Sequence, residues 1–259
     1  MFGVIAGDVI GSVHEHAMRK STDFPLFDPL CRFTDDTVLT VATAHAILTG
    51  TSYEIAYREF GRQHPDAGYG GSFYGWLFRE ESRPYNSWGN GSAMRVAPVG
   101  FAFNTVDEVL HEAERSAAVT HDHVEGIKGA QATALAVFMA RSGASKEEIR
   151  KALMDRFEYN LNRTVEQIRP DYRWDVSCQG SVPEAIVAFL DSSGVEDAIR
   201  LAVSLGGDAD TQAAIAGGIA EAFYKYVPEE IVIPVRERLH PRFIEVIDAF
   251  QQSFPLNTR

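Results

Sequence analysis

The sequence predicts an all-α fold, and three observations indicate this class. Small and apolar residues recur in long runs that begin near Thr, Asp or Pro and end near Gly or Pro, as helices do. The alternation of polar and apolar residues that is typical of strands is rare along the chain. The 259 residues, 45% of them hydrophobic, suffice for one sizeable core. We therefore predict a single domain over residues 1–259, without a linker or an internal repeat.

The first predicted element lies at the N-terminus, where Gly3, Gly7 and Gly11 recur every four residues. On a helix these glycines share one face. Glycine allows the closest approach of two backbones, so the spacing favours packing against a second helix. A face turned towards a ligand is the alternative.

The next predicted helix runs from Thr34 to Leu48, with Thr34 as a capping residue and Gly50 as the stop. Further runs of small and apolar residues predict helices over residues 123–140, 183–190, 195–205 and 211–226.

Two details of the C-terminal half depend on proline. Pro183 is expected at the first position of its helix, where a missing N–H costs nothing. The segment 230–233, Glu-Ile-Val-Ile, is the best strand candidate, although Pro234 directly after it weakens the assignment.

The longest irregular stretch spans residues 64–91 and contains two Gly-rich and aromatic runs, at 68–71 and 84–91. A long loop of this kind in a compact domain is more often functional than idle.

The overall composition and charge disfavour several classes of protein. The net charge of −12 disfavours binding to unmodified nucleic acid through its phosphates. An acidic protein can still bind a phosphorylated small molecule with helix N-termini and metal ions. The chain has no long apolar run and no basic leader, and Cys31 and Cys178 do not make a disulfide framework. We therefore expect a cytoplasmic protein that does not enter a membrane.

Two Thr/Asp clusters, far apart in sequence, each open a predicted helix; their oxygen-bearing residues are Thr34, Asp35, Asp36, Asp208, Asp210 and Thr211. If the clusters meet, four carboxylates carry a charge that two divalent cations would cancel. Donors that are all oxygens favour Mg²⁺, Mn²⁺ or Ca²⁺ over Zn²⁺. The alternative is that these residues only cap helices.

Five blocks in this order resemble the ADP-ribosylglycohydrolase family. They are Gly7-Asp8-x-x-Gly11 with Glu15, Thr34-Asp35-Asp36-Thr37, Gly89-Asn90-Gly91-Ser92-Ala93-Met94-Arg95, Thr120-His121-x-His123, and Gly206-Gly207-Asp208-x-Asp210-Thr211. The resemblance runs from Gly3 to about Tyr224. It implies an orthogonal helical bundle with a binuclear Mg²⁺ or Mn²⁺ centre at helix N-termini.

By this resemblance, the six residues of the two clusters would hold the metals. The residues expected to bind substrate are Glu15, Gly68, Gly70, Ser87, Trp88, Gly89, Asn90 and His121. Glu15 resembles a flap glutamate that reaches the metal site, and a solvated loop carboxylate is the alternative. Asp35 and Glu15 are the candidates for the catalytic acid or base.

The implied reaction is hydrolysis at C1″ of the distal ribose, which releases ADP-ribose from a modified protein side chain or small molecule. A monomer is expected. Two other functions stay open: a binuclear metallophosphohydrolase of nucleotide pyrophosphates, and a non-catalytic, crystallin-like protein that binds ADP-ribose.

Two further residues have open roles. Asp8 either supports the metal site or belongs to the packing around the glycines. Arg95 is expected to pair with the acidic site or to form a buried salt bridge.

Overall fold

The computed structural model describes residues 1–81 and 83–256, and within these ranges every extended regular element is a helix. The remaining regular pairing there is an isolated antiparallel bridge between Gly89 and Ser177. The predicted all-α class is therefore confirmed.

In chain order the helices are α1 (Phe2–Gly11), α2 (Asp35–Thr49), α3 (Tyr53–Gln63), α4 (Gly71–Phe78), α5 (Gly91–Met94), α6 (Ala97–Ala102), α7 (Val106–Ala118), α8 (Val124–Arg141), α9 (Lys146–Phe157), α10 (Val165–Ile168), α11 (Cys178–Asp191), α12 (Val195–Val203), α13 (Ala209–Tyr224), α14 (Glu229–Glu237) and α15 (Pro241–Ser253).

Polar caps explain where several helices begin and end. The Thr34 hydroxyl accepts a hydrogen bond from the Asp36 N–H at 3.3 Å, and Gly50 ends α2 with φ 71°. Helices α7, α9 and α10 each start with a complete capping box. The predicted helices around residues 34–48, 123–140, 195–205 and 211–226 are confirmed, with ends that move by one or two residues.

Helix α11 begins earlier than predicted. Its cap is Ser177, whose hydroxyl accepts a hydrogen bond from the Gly180 N–H at 3.1 Å. Pro183 consequently lies inside the helix and not at its first position. The expectation was wrong because a buried helix can retain an internal proline when its packing offsets the one lost backbone bond.

The strand predicted at 230–233 is also wrong, because this segment belongs to α14. Ile231 and Val235 lie one turn apart and are completely buried, whereas Ile233 is exposed. Burial with a four-residue spacing stabilises a helix, and it outweighs the strand preference of the β-branched residues.

Helix α13 lies at the centre of the fold and packs against α1, α8, α11 and α12. Its contact with α1 is very close: a Cβ on Gly11 would lie 2.7 Å from the Ala209 carbonyl oxygen, and one on Gly7 would overlap the Ala213 carbonyl. The predicted packing role of the N-terminal glycines is confirmed. The contact places the C-terminal end of α1 beside the first turn of α13.

None of the helices formed by residues 1–81 and 83–256 combines the length and the apolar character needed to cross a bilayer.

Candidate active site

The two acidic turns meet in the folded chain. Ligand atoms of Asp8, Asp36 and Asp210 lie within 4.8 Å of one another, and so do those of Glu15, Asp208 and Asp210. Asp210 belongs to both groups, which makes the two groups adjacent. The cluster joins α1, the N-terminus of α2 and the N-terminus of α13.

Asp8 is completely buried and connects α1 to the first turn of α2. Its carboxylate accepts hydrogen bonds from the Thr34 N–H at 2.9 Å, the Thr34 hydroxyl at 2.7 Å, the Thr37 N–H at 3.0 Å and the Thr37 hydroxyl. The resemblance left the role of Asp8 open, and the structure places it in the acidic cluster. A lone carboxylate in an otherwise apolar helix is the sequence signal for it.

Asp36 has the unsatisfied oxygen that a cation would bind. Its Oδ2 lies 3.5 Å from the Thr34 hydroxyl and 3.3 Å from the Thr211 hydroxyl. Its Oδ1 is buried and has no hydrogen-bond partner in the described part of the chain. Such orphaned buried oxygens are rare, and a divalent cation in the cluster would satisfy this one.

Asp208 precedes α13, but its side chain makes no capping hydrogen bond there. The carboxylate instead accepts a 2.7 Å hydrogen bond from the Asn90 amide, whose Nδ2 also contacts the Ser181 hydroxyl at 3.2 Å. Helix capping therefore accounts for Thr34 and does not account for Asp208.

The environment of the cluster raises the pKa of its carboxyl groups. Burial is the largest cause for each of them, and the neighbouring carboxylates add to it for Asp35, Asp36 and Asp210. The pKa of Asp35 rises to about 8, and the pKa values of Asp36 and Asp210 rise well above their usual range. Without cations the cluster retains protons at neutral pH, because no positive charge compensates its carboxylates. Bound cations would supply that positive charge.

A cavity of about 480 Å³ adjoins the cluster. The predicted site residues in its wall are Glu15, Thr34, Asp35, Asp36, Gly68, Gly70, Ser87, Gly89, Asn90, His121, Asp208, Asp210 and Thr211. Trp88 is the exception: its ring is 53% exposed, packs 5.6 Å from the ring of His123, and lies outside this wall. A second cavity, of about 330 Å³ and bordered by Phe2 and Phe250, holds none of these residues.

The cavity wall also contains residues that were not predicted, among them Arg32, Tyr85 and Trp174. Tyr85 lies in the aromatic and Gly-rich run at 84–91, so the loop pattern indicated its region. Arg32 and Trp174 are brought to the wall by tertiary packing, and no local pattern indicates them.

Arg95 corrects a further expectation. The side chain is completely buried and forms no ion pair with any described residue. Its Nη2 donates to the Ser116 carbonyl at 3.1 Å and to the Thr120 hydroxyl at 2.9 Å, and the guanidinium stacks 4.3 Å from the Tyr57 ring centroid. Aromatic stacking and neutral acceptors replace the expected carboxylate.

Comparisons with known proteins agree with this architecture. The sequence model of the ADP-ribosylglycohydrolase family matches residues 1–257. The protein "ADP-ribosylhydrolase ARH3" of Bos taurus is 28% identical, over 88% of this chain and 85% of its own length. "ADP-ribosylarginine hydrolase Tri1" of Pseudomonas putida is 31% identical, over 52% of this chain and 38% of its own length.

A solved structure described as "ADP-ribosylglycohydrolase-related protein complex" superposes with a TM-score of 0.75 and 22% identity, covering 97% of this chain and 95% of its own. That likeness shows a shared fold. Because the family match spans nearly the whole sequence, the chain belongs to the ADP-ribosylglycohydrolase family and is a glycohydrolase enzyme.

Proposed function

We propose that this protein is a divalent-cation-dependent hydrolase that cleaves the glycosidic bond at C1″ of ADP-ribose and releases ADP-ribose from a modified protein or small molecule. The observation that carries the proposal is the meeting of two acidic turns on the wall of one cavity, with Asp210 in both carboxylate groups. The activities for which the relatives are named support the substrate class.

Two cations, Mg²⁺ or Mn²⁺, would be held by the two clusters: Thr34, Asp35, Asp36, Asp208, Asp210 and Thr211. Oxygen donors alone suit these ions. When bound, the cations would orient the ribose hydroxyls and supply Lewis acidity. Asp8 accepts four hydrogen bonds from Thr34 and Thr37. Through them it would hold the first turn of α2 beside the cations.

The acid or base of the reaction is Glu15 or Asp35, and both line the cavity. Burial, with the charge of Asp208, raises the pKa of Glu15, which helps this half-buried carboxyl group to hold a proton for the leaving group. Hydrolysis at C1″ passes through a transition state with oxocarbenium character. The surrounding carboxylates would stabilise its positive charge.

The sugar and diphosphate would lie along the loops at 68–71 and 87–90. An added Cβ at Gly70 would meet no atom within 4 Å, and one at Gly68 would lie 3.6 Å from the nearest Asp35 oxygen. These glycines thus leave backbone N–H groups open to an anionic ligand. Asn90 would act mainly by holding Asp208, because its amide N–H groups already have partners.

The test is a panel of defined ADP-ribosyl linkages, incubated with Mg²⁺, with Mn²⁺ and with EDTA, followed by product analysis. We expect free ADP-ribose with either metal, and a loss of activity of about a hundredfold or more in Asp210→Asn. Asp107→Asn, an exposed aspartate in the first turn of α7, is the matched control.

Two results would contradict the proposal. AMP as the product would mean cleavage of the phosphoanhydride and a metallophosphohydrolase. Tight binding of ADP-ribose without turnover of any linkage would mean a binding protein.

A further inference from the structure

We propose that Arg95 and Thr120 hold His121 as a neutral imidazole protonated on Nε2, so that this nitrogen donates a hydrogen bond to a ligand oxygen in the cavity. The identity of that ligand rests on the proposed function. The protonation pattern does not, because it is a property of the free protein.

The first step concerns the Nδ1 side of the ring. The Thr120 hydroxyl oxygen lies 2.7 Å from Nδ1 of His121. Arg95 donates to the same oxygen at 2.9 Å, and a guanidinium can only donate. One lone pair of the Thr120 oxygen is therefore occupied by Arg95.

The Thr120 hydroxyl has two side-chain partners among the described residues, Arg95 and Nδ1 of His121. Because Arg95 can only donate, Nδ1 is the acceptor that is available to the hydroxyl hydrogen. A proton on Nδ1 would leave this buried hydroxyl hydrogen without an acceptor, which is rare in folded proteins. Nδ1 then accepts, and the ring proton of a neutral imidazole must be on Nε2.

The charge of Arg95 favours the same arrangement. The guanidinium is completely buried and has no carboxylate partner among the described residues. A proton on Nδ1, or a second proton on the ring, would place positive charge towards this uncompensated cation. Burial and Arg95 together lower the pKa of His121 well below its usual range, so the ring is neutral at pH 7.

The opposite nitrogen faces the cavity wall at the start of α5. A Cβ on Gly91 would lie 3.2 Å from Nε2, and one on Gly89 would lie 3.6 Å away. Because both positions are glycine, the space in front of Nε2 stays open. Nε2 has no hydrogen-bond partner among residues 1–81 and 83–256, and His121 lines the cavity.

A neutral imidazole in this state is a fixed donor and not a base, because its lone pair is turned away from the cavity. Its partner is an oxygen acceptor, which in ADP-ribose is a diphosphate oxygen or a ribose hydroxyl. His121 then binds ligand, whereas Arg95 and Thr120 are positioning residues.

The protonation state can be read directly by long-range ¹H–¹⁵N NMR of the full-length, ¹⁵N-labelled protein at pH 7 without ligand. His121→Gln identifies the signals of this ring among the eight histidines. We expect an unprotonated Nδ1 and a protonated Nε2. A protonated Nδ1, in either a neutral or a charged ring, would overturn the proposal.

Thr120→Val removes the hydroxyl at nearly constant volume, and Thr120→Ser keeps it as the control. In Thr120→Val we expect the two ring nitrogens to shift towards a mixture of tautomers. The Kd for ADP-ribose, measured by calorimetry with Mg²⁺, should rise about two- to tenfold, the value of one hydrogen bond. Wild-type spectra and Kd in Thr120→Val would show that Thr120 does not position the ring.

The outcomes separate this inference from the proposed function. A wild-type protein with the expected Nε2–H that fails to bind ADP-ribose contradicts the function and leaves the tautomer intact. If Thr120→Val does not fold, the wild-type spectrum alone still decides the tautomer.

Discussion

Asp8 illustrates how one buried carboxylate organises the site. It is the charged residue of α1, where every neighbour on the helix is buried. Its four hydrogen bonds all go to the cap and first turn of α2. Asp8 thus fixes Thr34 and Thr37, and with them the first turn of α2, which carries Asp36.

We expect Asp8→Ala to weaken Mg²⁺ binding about 10- to 100-fold, the usual effect of removing a residue that orients metal ligands. Thr34 and Thr37 lose their acceptor, so the first turn of α2 is no longer fixed. Calorimetric titration with Mg²⁺ measures the effect, with the exposed Asp107→Ala as control. An unchanged Mg²⁺ affinity would mean that Asp8 serves packing alone.

Glu15 and Asp210 can be distinguished by kinetics. If Glu15 is the acid or base, Glu15→Gln should lower kcat by about 10²–10⁴ while the Kd for Mg²⁺ changes little. Asp210→Asn should raise that Kd strongly, because Asp210 belongs to both carboxylate groups.

Glu245→Gln, an exposed site on α15, is the control for the Glu15 variant. A large loss of Mg²⁺ affinity in Glu15→Gln would instead identify Glu15 as a metal ligand. Full activity in that variant would leave Asp35 as the acid or base.

The contact between α1 and α13 links packing to function. Helix α1 carries Asp8 near its centre, and α13 carries Asp210 in its first turn. The two carboxylates meet only because glycines let the helix backbones approach this closely. The position of the acidic cluster therefore depends on the lack of a side chain at these glycine positions.

We expect Gly7→Ala to destabilise the protein by about 1–3 kcal/mol, as overpacking of a core does. The added methyl would overlap the Ala213 carbonyl. Alanine is the better helix former by about 1 kcal/mol, so a loss of stability can only come from the interface. Urea unfolding measures it.

Gly194→Ala is the matched control, because a Cβ there meets no atom within 4 Å and the backbone is extended. A more stable Gly7→Ala variant would show that α1 and α13 are less tightly packed than the structure has them.

Local signals predicted the helices that consist of long runs of small and apolar residues, such as α2, α8 and α13. The start of α11 and the helical conformation of α14 could not be predicted from local signals. Tertiary packing, and not local preference, determines the conformation at Pro183 and in the segment 230–233. The same division applies to the site. The two acidic turns are contiguous motifs, whereas Trp174 reaches the cavity only through folding.

On the scale of the whole molecule, the acidic cluster couples folding to protons and to cations. The formal net charge of −12 counts every carboxyl group as ionised, and several of these groups are buried aspartates where three helices meet. Burying one of these carboxyl groups in the folded protein costs less free energy when the group is neutral. Protons and divalent cations are alternative ways to neutralise it.

The sign of the pH dependence follows from the raised pKa values. Asp35 titrates near 3.8 in the unfolded chain and at about 8 in the folded protein, and the pKa of Asp210 is raised well above its usual range. A raised folded pKa gives stability that is complete below the unfolded pKa and is lost as the pH rises through the folded pKa. The metal-free protein should therefore lose stability from about pH 4 to pH 8.

Mg²⁺ should reverse this loss, because it binds the deprotonated carboxylates. At a concentration of 100 Kd it contributes about 2.7 kcal/mol, and its stabilising effect should be larger at pH 8 than at pH 5. Thermal unfolding of the EDTA-treated protein at both pH values, with and without Mg²⁺, measures both effects. Asp210→Asn should reduce the pH dependence and the Mg²⁺ effect together, whereas Asp107→Asn should change neither. A larger Mg²⁺ effect at pH 5, or equal behaviour of the two variants, would contradict the coupling of the acidic cluster to cations.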